Sequence, residues 1–310
     1  MEIHSAHHRL DLARRLLDAG HAKAAIEHLR TALGEDPENA SAHALLAHAL
    51  VDDNRIFAAE REAGLALAAD PESGEGHRAL ARVQFAQRKL DAAIDSTERA
   101  EAMDPFEPAS HSIRAAILIA QERRSEARAA LDKALELDPE NAHARWQLGV
   151  LSLLEGKIEE AATWTAAVLE DDPEHVGAIV LMGRVLLRRG DIEGARSHAL
   201  MALRENAGHE DALHLLASVK TRVNPFLGAW WHLNTRLSEL GGTRETFILI
   251  GVYVLVQLAT LILRDTGHRQ AAELVSYVWL GTCVYTWIAP GVFRKMLQEE
   301  LRQVRLRDDF

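Results

Sequence analysis

Five Asp-Pro steps set the register of this chain. Asp36-Pro37, Asp70-Pro71, Asp104-Pro105, Asp138-Pro139 and Asp172-Pro173 recur every 34 residues, and a degenerate sixth copy falls at Asn206-Ala207. A fixed period of this length belongs to stacked supersecondary units that each touch only their neighbours, not to one globular core. It also removes the repeated residues from any catalytic role, since each serves a turn or a packing contact in every copy.

Three further columns keep the same spacing. Ala25, Ala59, Ala93, Ala127, Ala161 and Ala195 form one; Ala32, Ala66, Ala100, Ala134, Val168 and Ala202 a second; Ala13, Ala47, Ala81, Ala115, Gly149, Gly183 and Ala217 a third. Small residues recur where helix backbones approach closely, and a larger side chain there would cost roughly 1–3 kcal/mol by overpacking. Leu12, Leu46, Leu80, Leu148, Met182 and Leu216 fill the space between, and Arg114 breaks their column, which predicts looser packing in the fourth repeat. Each unit reads as helix, turn, helix. Turns are expected near Ala19-Gly20, Asp53-Asn54, Glu155-Gly156 and Arg189-Gly190. The Asp-Pro step ends the second helix, because the residue before proline is pushed out of the α region.

The pattern closely resembles the tetratricopeptide repeat family. The best copy is Trp146-Gln147-Leu148-Gly149, then Gly156, Ala161 and Asp172-Pro173; His43, His77 and His111 stand where the family often has Trp. The resemblance implies six repeats over residues 6–209, after an extension at 1–5, with a capping helix at 210–223. The fold it implies is all-α, a right-handed solenoid whose first helices line a concave groove. Carried onto this sequence, the groove positions are Arg78, Arg82 and Ser112, then Ala116, Ile119, Trp146, Val150, Leu153, Val180, Arg184 and Leu187. An apolar groove with a Trp and flanking Arg suits a peptide bearing apolar and acidic groups. The carboxylate clamp of chaperone-binding members is not reproduced, its positions holding Leu10, Arg14, Leu45, Glu75 and Ala79.

Charge separates two materials. Residues 1–219 carry 24 Lys and Arg against 38 Asp and Glu, a net of −14; residues 220–310 carry 11 against 8, a net of +3. An acidic repeat region argues against nucleic acid, which needs a basic stripe. The single cysteine, Cys283, allows no intramolecular disulfide and no Cys-based zinc site. Met1-Glu2-Ile3-His4 offers neither a basic nor an apolar leader segment, so the repeats are expected in the cytosol. The Ala- and Arg-rich composition points to a bacterial source.

After Asn224-Pro225 the period ends. Residues 246–263 and 274–293 contain no charged side chain. At 1.5 Å per residue they measure about 27 and 30 Å, close to a hydrocarbon core. Residues 244–293 therefore read as a transmembrane hairpin turning at Thr266-Gly267, preceded by an interfacial amphipathic linker at 224–243 and followed by a basic tail at 294–310. Trp230, Trp231 and Trp287 are the expected membrane-interface residues. Lys220, Arg222, Arg236 and Arg244 precede the hairpin and Arg294, Lys295, Arg302, Arg305 and Arg307 follow it, against Arg264 and Arg269 in its loop. This asymmetry places repeats and both termini on the cytosolic side of a membrane, expected to be the bacterial inner membrane.

No nucleophile, zinc-protease or phosphate-loop motif is present, so neither an enzyme nor a cofactor is expected. His4, His7 and His8 share a helical spacing but lack a further ligand, and no metal is expected. The expected function is a membrane-anchored scaffold that recruits a groove-bound partner, with assembly of a membrane or envelope complex as the family-level extension. Two rivals remain open: a membrane-complex subunit whose hairpin, with Gly251, Gly281 and Cys283, makes the specific contacts, and a soluble chaperone-like binder with its apolar tail docked in the groove.

Overall fold

A computed structural model of the chain describes residues 2–18, 20–205, 208–223, 242–284 and 295. The described residues form helices joined by short turns and contain no strand. Among the described residues thirteen helices precede the hairpin: α1 (Glu2–Asp18), α2 (Ala22–Glu35), α3 (Ala40–Asp52), α4 (Ile56–Ala69), α5 (Gly74–Ala86), α6 (Leu90–Met103) and α7 (Pro108–Ala120). They continue with α8 (Arg124–Leu137), α9 (Ala142–Leu154), α10 (Ile158–Asp171), α11 (Val176–Arg189), α12 (Ile192–Glu205) and α13 (Glu210–Val223). Helix α1 starts at Glu2, so residues set apart as an N-terminal extension continue the first helix. The chain divides into two compact units, Met1–Ala178 and Ile179–Phe310.

In the first unit each odd helix packs on the even helix after it, and each even helix packs on the next odd one. The odd helices α1, α3, α5, α7 and α9 also touch in series. They form the inner layer, and the even helices form the outer one. The small-residue columns lie where this packing is tightest. Ala25, Ala59, Ala93, Ala127, Ala161 and Ala195 are all fully buried, as are Ala13, Ala47, Ala81 and Ala115. Leu29, Leu118, Leu131, Leu148 and Leu151 fill the volume between them.

Two local devices repeat. Asp36, Asp70, Asp104, Asp138 and Asp172 leave the helical region at φ −135 to −141°. The Asp70, Asp138 and Asp172 carboxylates then accept the backbone N–H two residues on. Inside the repeat, the turn residue takes positive φ at Gly20, Asn54, Arg88, Glu122, Gly156 and Gly190, again 34 apart. Arg88 and Glu122 adopt this left-handed conformation without being glycine.

The histidine column is more than packing. His43 Nε2 lies 2.9 Å from the Pro37 carbonyl and His77 Nε2 3.2 Å from that of Pro71. In the same column, one repeat after His111, Arg145 donates from Nε and Nη2 to the Pro139 carbonyl at 3.0 and 2.7 Å. These side chains tie the Pro37, Pro71 and Pro139 turns to the helices that follow them. Arg114 does not leave a gap; it pairs with Glu98 and Glu101 at 3.5 and 3.0 Å.

In the second unit, α12 packs on α13. Downstream, the helix Gly242–Asp265 turns at Thr266-Gly267, with Gly267 at φ +82°, into a second helix at 269–284. Thr260 and Ala272 are buried and Tyr253 meets Trp279 at a ring distance of 6.3 Å. The helical hairpin is present, but its membrane crossing is not supported. Among the described residues no helix is long and apolar enough to cross a membrane. Trp230, Trp231, Trp287, the linker at 224–241 and nearly all of the basic tail lie outside the described residues, as does Asn206-Ala207.

Candidate functional site on the inner helices

Helices α3, α5, α7 and α9 present their residues in register, because each repeat places the same position on the same face. Arg78, Ser112 and Trp146 therefore succeed one another along the inner layer, and so do His48, Arg82, Ala116 and Val150. Ala116, Ile119, Trp146, Val150 and Leu153 are half-buried there, whereas Arg78 and Ser112 are only 9% and 2% exposed. Val180, Arg184 and Leu187 lie on the part of α11 that belongs to the second unit. Val180 is buried, and Arg184 pairs with Asp211 at 2.5 Å.

Polar neighbours that the repeat pattern did not single out complete the face. Arg82 donates to Asp52 Oδ1 at 2.5 Å and to His48 Nδ1 at 3.4 Å. With Nδ1 accepting, a neutral His48 carries its proton on Nε2, which is buried without a partner. Burial, then Arg82 and Arg78, hold His48 well below the usual histidine range. On α9, the Gln147 amide donates to His143 Nε2 at 2.8 Å. The His143 ring is crowded although part of its surface meets solvent; burial, then Arg82 and His175, push it down to about 4. Both imidazoles are neutral at pH 7, because each stands close to a guanidinium in a partly desolvated place.

Trp146 sits between two histidine rings, 5.5 Å from His143 and 6.3 Å from His175. A Cβ at Gly177 would lie 3.2 Å from its Nε1, so glycine there makes room for the indole. Several buried side-chain atoms on α3, α5, α7 and α9 have no hydrogen-bond partner among the described residues, among them the donors His48 Nε2, Arg78 Nη1, Ser112 Oγ and Trp146 Nε1. These donors come from the four helices in turn. Arg78 Nη1 has only an ion-pair contact, 3.7 Å from Asp104. The positions of a chaperone-type clamp are otherwise engaged: Arg14 pairs with Glu75 at 3.2 Å, and Leu10, Leu45 and Ala79 are buried. Among the described residues no group of three or more metal-ligating side chains occurs.

Paired helices at a 34-residue pitch define an α-repeat protein. Residues 16–64 and 118–173 match one tetratricopeptide repeat family model, and residues 44–108 match a second. The matched segments are tetratricopeptide repeats, a type that serves protein–protein interaction. Among solved structures, a thermophilic tetratricopeptide protein of Thermus thermophilus is 24% identical. The match covers 59% of this chain and 99% of that one, with a TM-score of 0.53. A tetratricopeptide repeat protein from Parabacteroides merdae is 15% identical over 78% of this chain and 96% of its own, TM-score 0.51. PilW, described as a widely conserved type IV pilus biogenesis factor, is 18% identical over 68% and 98%, TM-score 0.50. At these identities the likeness is one of fold. No curated protein matches the chain.

Proposed function

We propose that the protein is a scaffold that holds a segment of a partner polypeptide along the inner faces of α3, α5, α7 and α9. The row of unpartnered donors carries this reading: His48 Nε2–H, Arg78 Nη1–H, Ser112 Oγ–H and Trp146 Nε1–H. Buried polar groups are nearly always hydrogen-bonded. Carbonyl and carboxylate oxygens of an extended peptide accept such bonds, while Trp146, Val150, Leu153 and Ile119 receive apolar side chains. The test is selection of peptides from a displayed random library on the full chain. Enrichment of acidic, apolar sequences whose binding falls in Arg82→Gln and Trp146→Ala supports the reading. Binding indifferent to both substitutions sinks it.

The C-terminal hairpin gives this scaffold its place. We infer that it beds in a lipid bilayer and keeps the partner at the cytosolic face, where tethering raises local concentration. Large apolar side chains stand exposed around both helices, among them Leu255, Leu261 and Ile262 on the first and Leu274, Tyr277 and Val278 on the second. Apolar surface spread around a helix suits lipid better than the one-sided stripe of a protein contact. Assembly of a membrane complex is the family-level extension, and PilW shows the fold put to pilus biogenesis. Carbonate extraction tests the tether: a chain released to the supernatant returns the hairpin to a protein contact.

A further inference from the structure

A second site lies on the outer side of the first unit. Helices α2, α3 and α4 enclose a cleft of about 360 Å³ that opens to solvent. Its floor is Leu46 and Leu50 with the His43–Glu62 pair, all at most 7% exposed. Its rim carries Arg30, Arg55 and Arg61, and Glu62 is the one carboxylate in the lining. That carboxylate is already engaged, by His43 Nδ1 at 2.7 Å and Arg61 at 2.8 Å. Arg55 has no ion-pair partner among the described residues, and Arg30 has only a 3.6 Å contact to exposed Glu27. Three guanidiniums around an apolar floor are conspicuous on a region whose net charge is −14.

We propose that this cleft binds an acidic–apolar segment of a partner polypeptide. A carboxylate side chain meets the Arg55 and Arg61 rim, and the neighbouring apolar side chain lies on Leu46 and Leu50. The volume is at the lower end of ligand pockets, and a cleft so open to water cannot enclose the 70–90% or more of a free small molecule that such pockets bury. A polypeptide needs only two side chains in the cleft and makes its remaining contacts along the helices. Charge complementarity selects the acidic partner. This site is separate from the inner-layer site, with which it shares no residue.

The test is fluorescence anisotropy of a labelled octapeptide of alternating leucine and glutamate, titrated with the full chain. Two cleft variants are compared, Arg55→Gln/Arg61→Gln and Ala58→Trp, the second filling the cleft without changing charge. An inner-layer variant, Arg82→Gln/Trp146→Ala, runs beside them, and thermal melts establish that each is folded. The expected result is a Kd raised about tenfold or more by both cleft variants, with the inner-layer variant leaving a cleft-bound component intact. Loss of binding only in the inner-layer variant overturns the cleft and locates the peptide on α3 to α9. Binding unchanged in every variant, or absent from the wild-type chain, overturns it as well.

Discussion

His43 and Glu62, on neighbouring helices, form a buried pair in which the imidazole is held at both ends. Nδ1 faces Glu62 Oε2 at 2.7 Å and Nε2 faces the Pro37 carbonyl at 2.9 Å. Removing the carboxylate strands the ring, and breaking a buried pair in this way costs about 3 kcal/mol. Glu62→Ala is expected to lower the denaturation midpoint accordingly; a shift corresponding to under about 1 kcal/mol would show that the pair is solvated.

The non-glycine turns predict gains. Arg88 and Glu122 hold φ of +62° and +60°, where the other repeats place Gly or Asn. A left-handed residue with a Cβ costs about 1–2 kcal/mol. Glycine relieves that strain but adds freedom to the unfolded chain. Glu122→Gly is expected to stabilise by about 0.5–1 kcal/mol net, read from urea unfolding. A loss would mean that the Glu122 side chain makes a stabilising contact in the folded chain.

Glycines inside helices predict opposite signs at two places. A Cβ at Gly183 would collide with Leu215 Cδ2 and come within 3.1 Å of His198 Cβ, whereas nothing lies within 4 Å of one at Gly64. Gly64→Ala is expected to stabilise by up to about 1 kcal/mol through helix propensity. Gly183→Ala should lose about 1 kcal/mol, overpacking of about 1–3 kcal/mol outweighing the same gain. Melting of the two variants side by side decides it.

Much of this was legible in the sequence because a column of identical residues has an identical environment. The alanine columns, the helix pairs, the Asp-Pro ends and the Thr266-Gly267 turn could all be read that way. Left-handed Arg88 and Glu122 could not, since nothing in their chemistry announces positive φ. The bonds from His43, His77 and Arg145 to proline carbonyls were hidden for another reason: different side chains do the same job. His48, Asp52 and His143 entered the inner layer through contacts between repeats, which single-column reading does not see. The hairpin was legible as two helices and a turn, whereas among the described residues no helix is long and apolar enough to cross a membrane.

The two depressed histidines fix a pH dependence. His48 lies well below its usual range and His143 at about 4, while an unfolded histidine titrates near 6.5. Below about pH 6.5 the unfolded chain therefore binds more protons, and stability falls from there down to about pH 4. An anion bound beside Arg82 offsets its charge, raises both histidines and draws protons into the complex. Acidic peptides should therefore bind more tightly at about pH 5.5 than at about pH 7.5, and His48→Gln/His143→Gln should flatten that slope. An equal slope in the variant would assign the protons elsewhere.

Scaffold and reader occupy different columns of the same 34-residue ruler. Ala25, Ala59, Ala93, Ala127 and Ala161 hold the helices together, whereas positions 78, 112 and 146 carry Arg, Ser and Trp in one register. What the inner layer recognises can be rewritten one repeat at a time, like type set into a fixed frame, without reopening the question of how the chain folds.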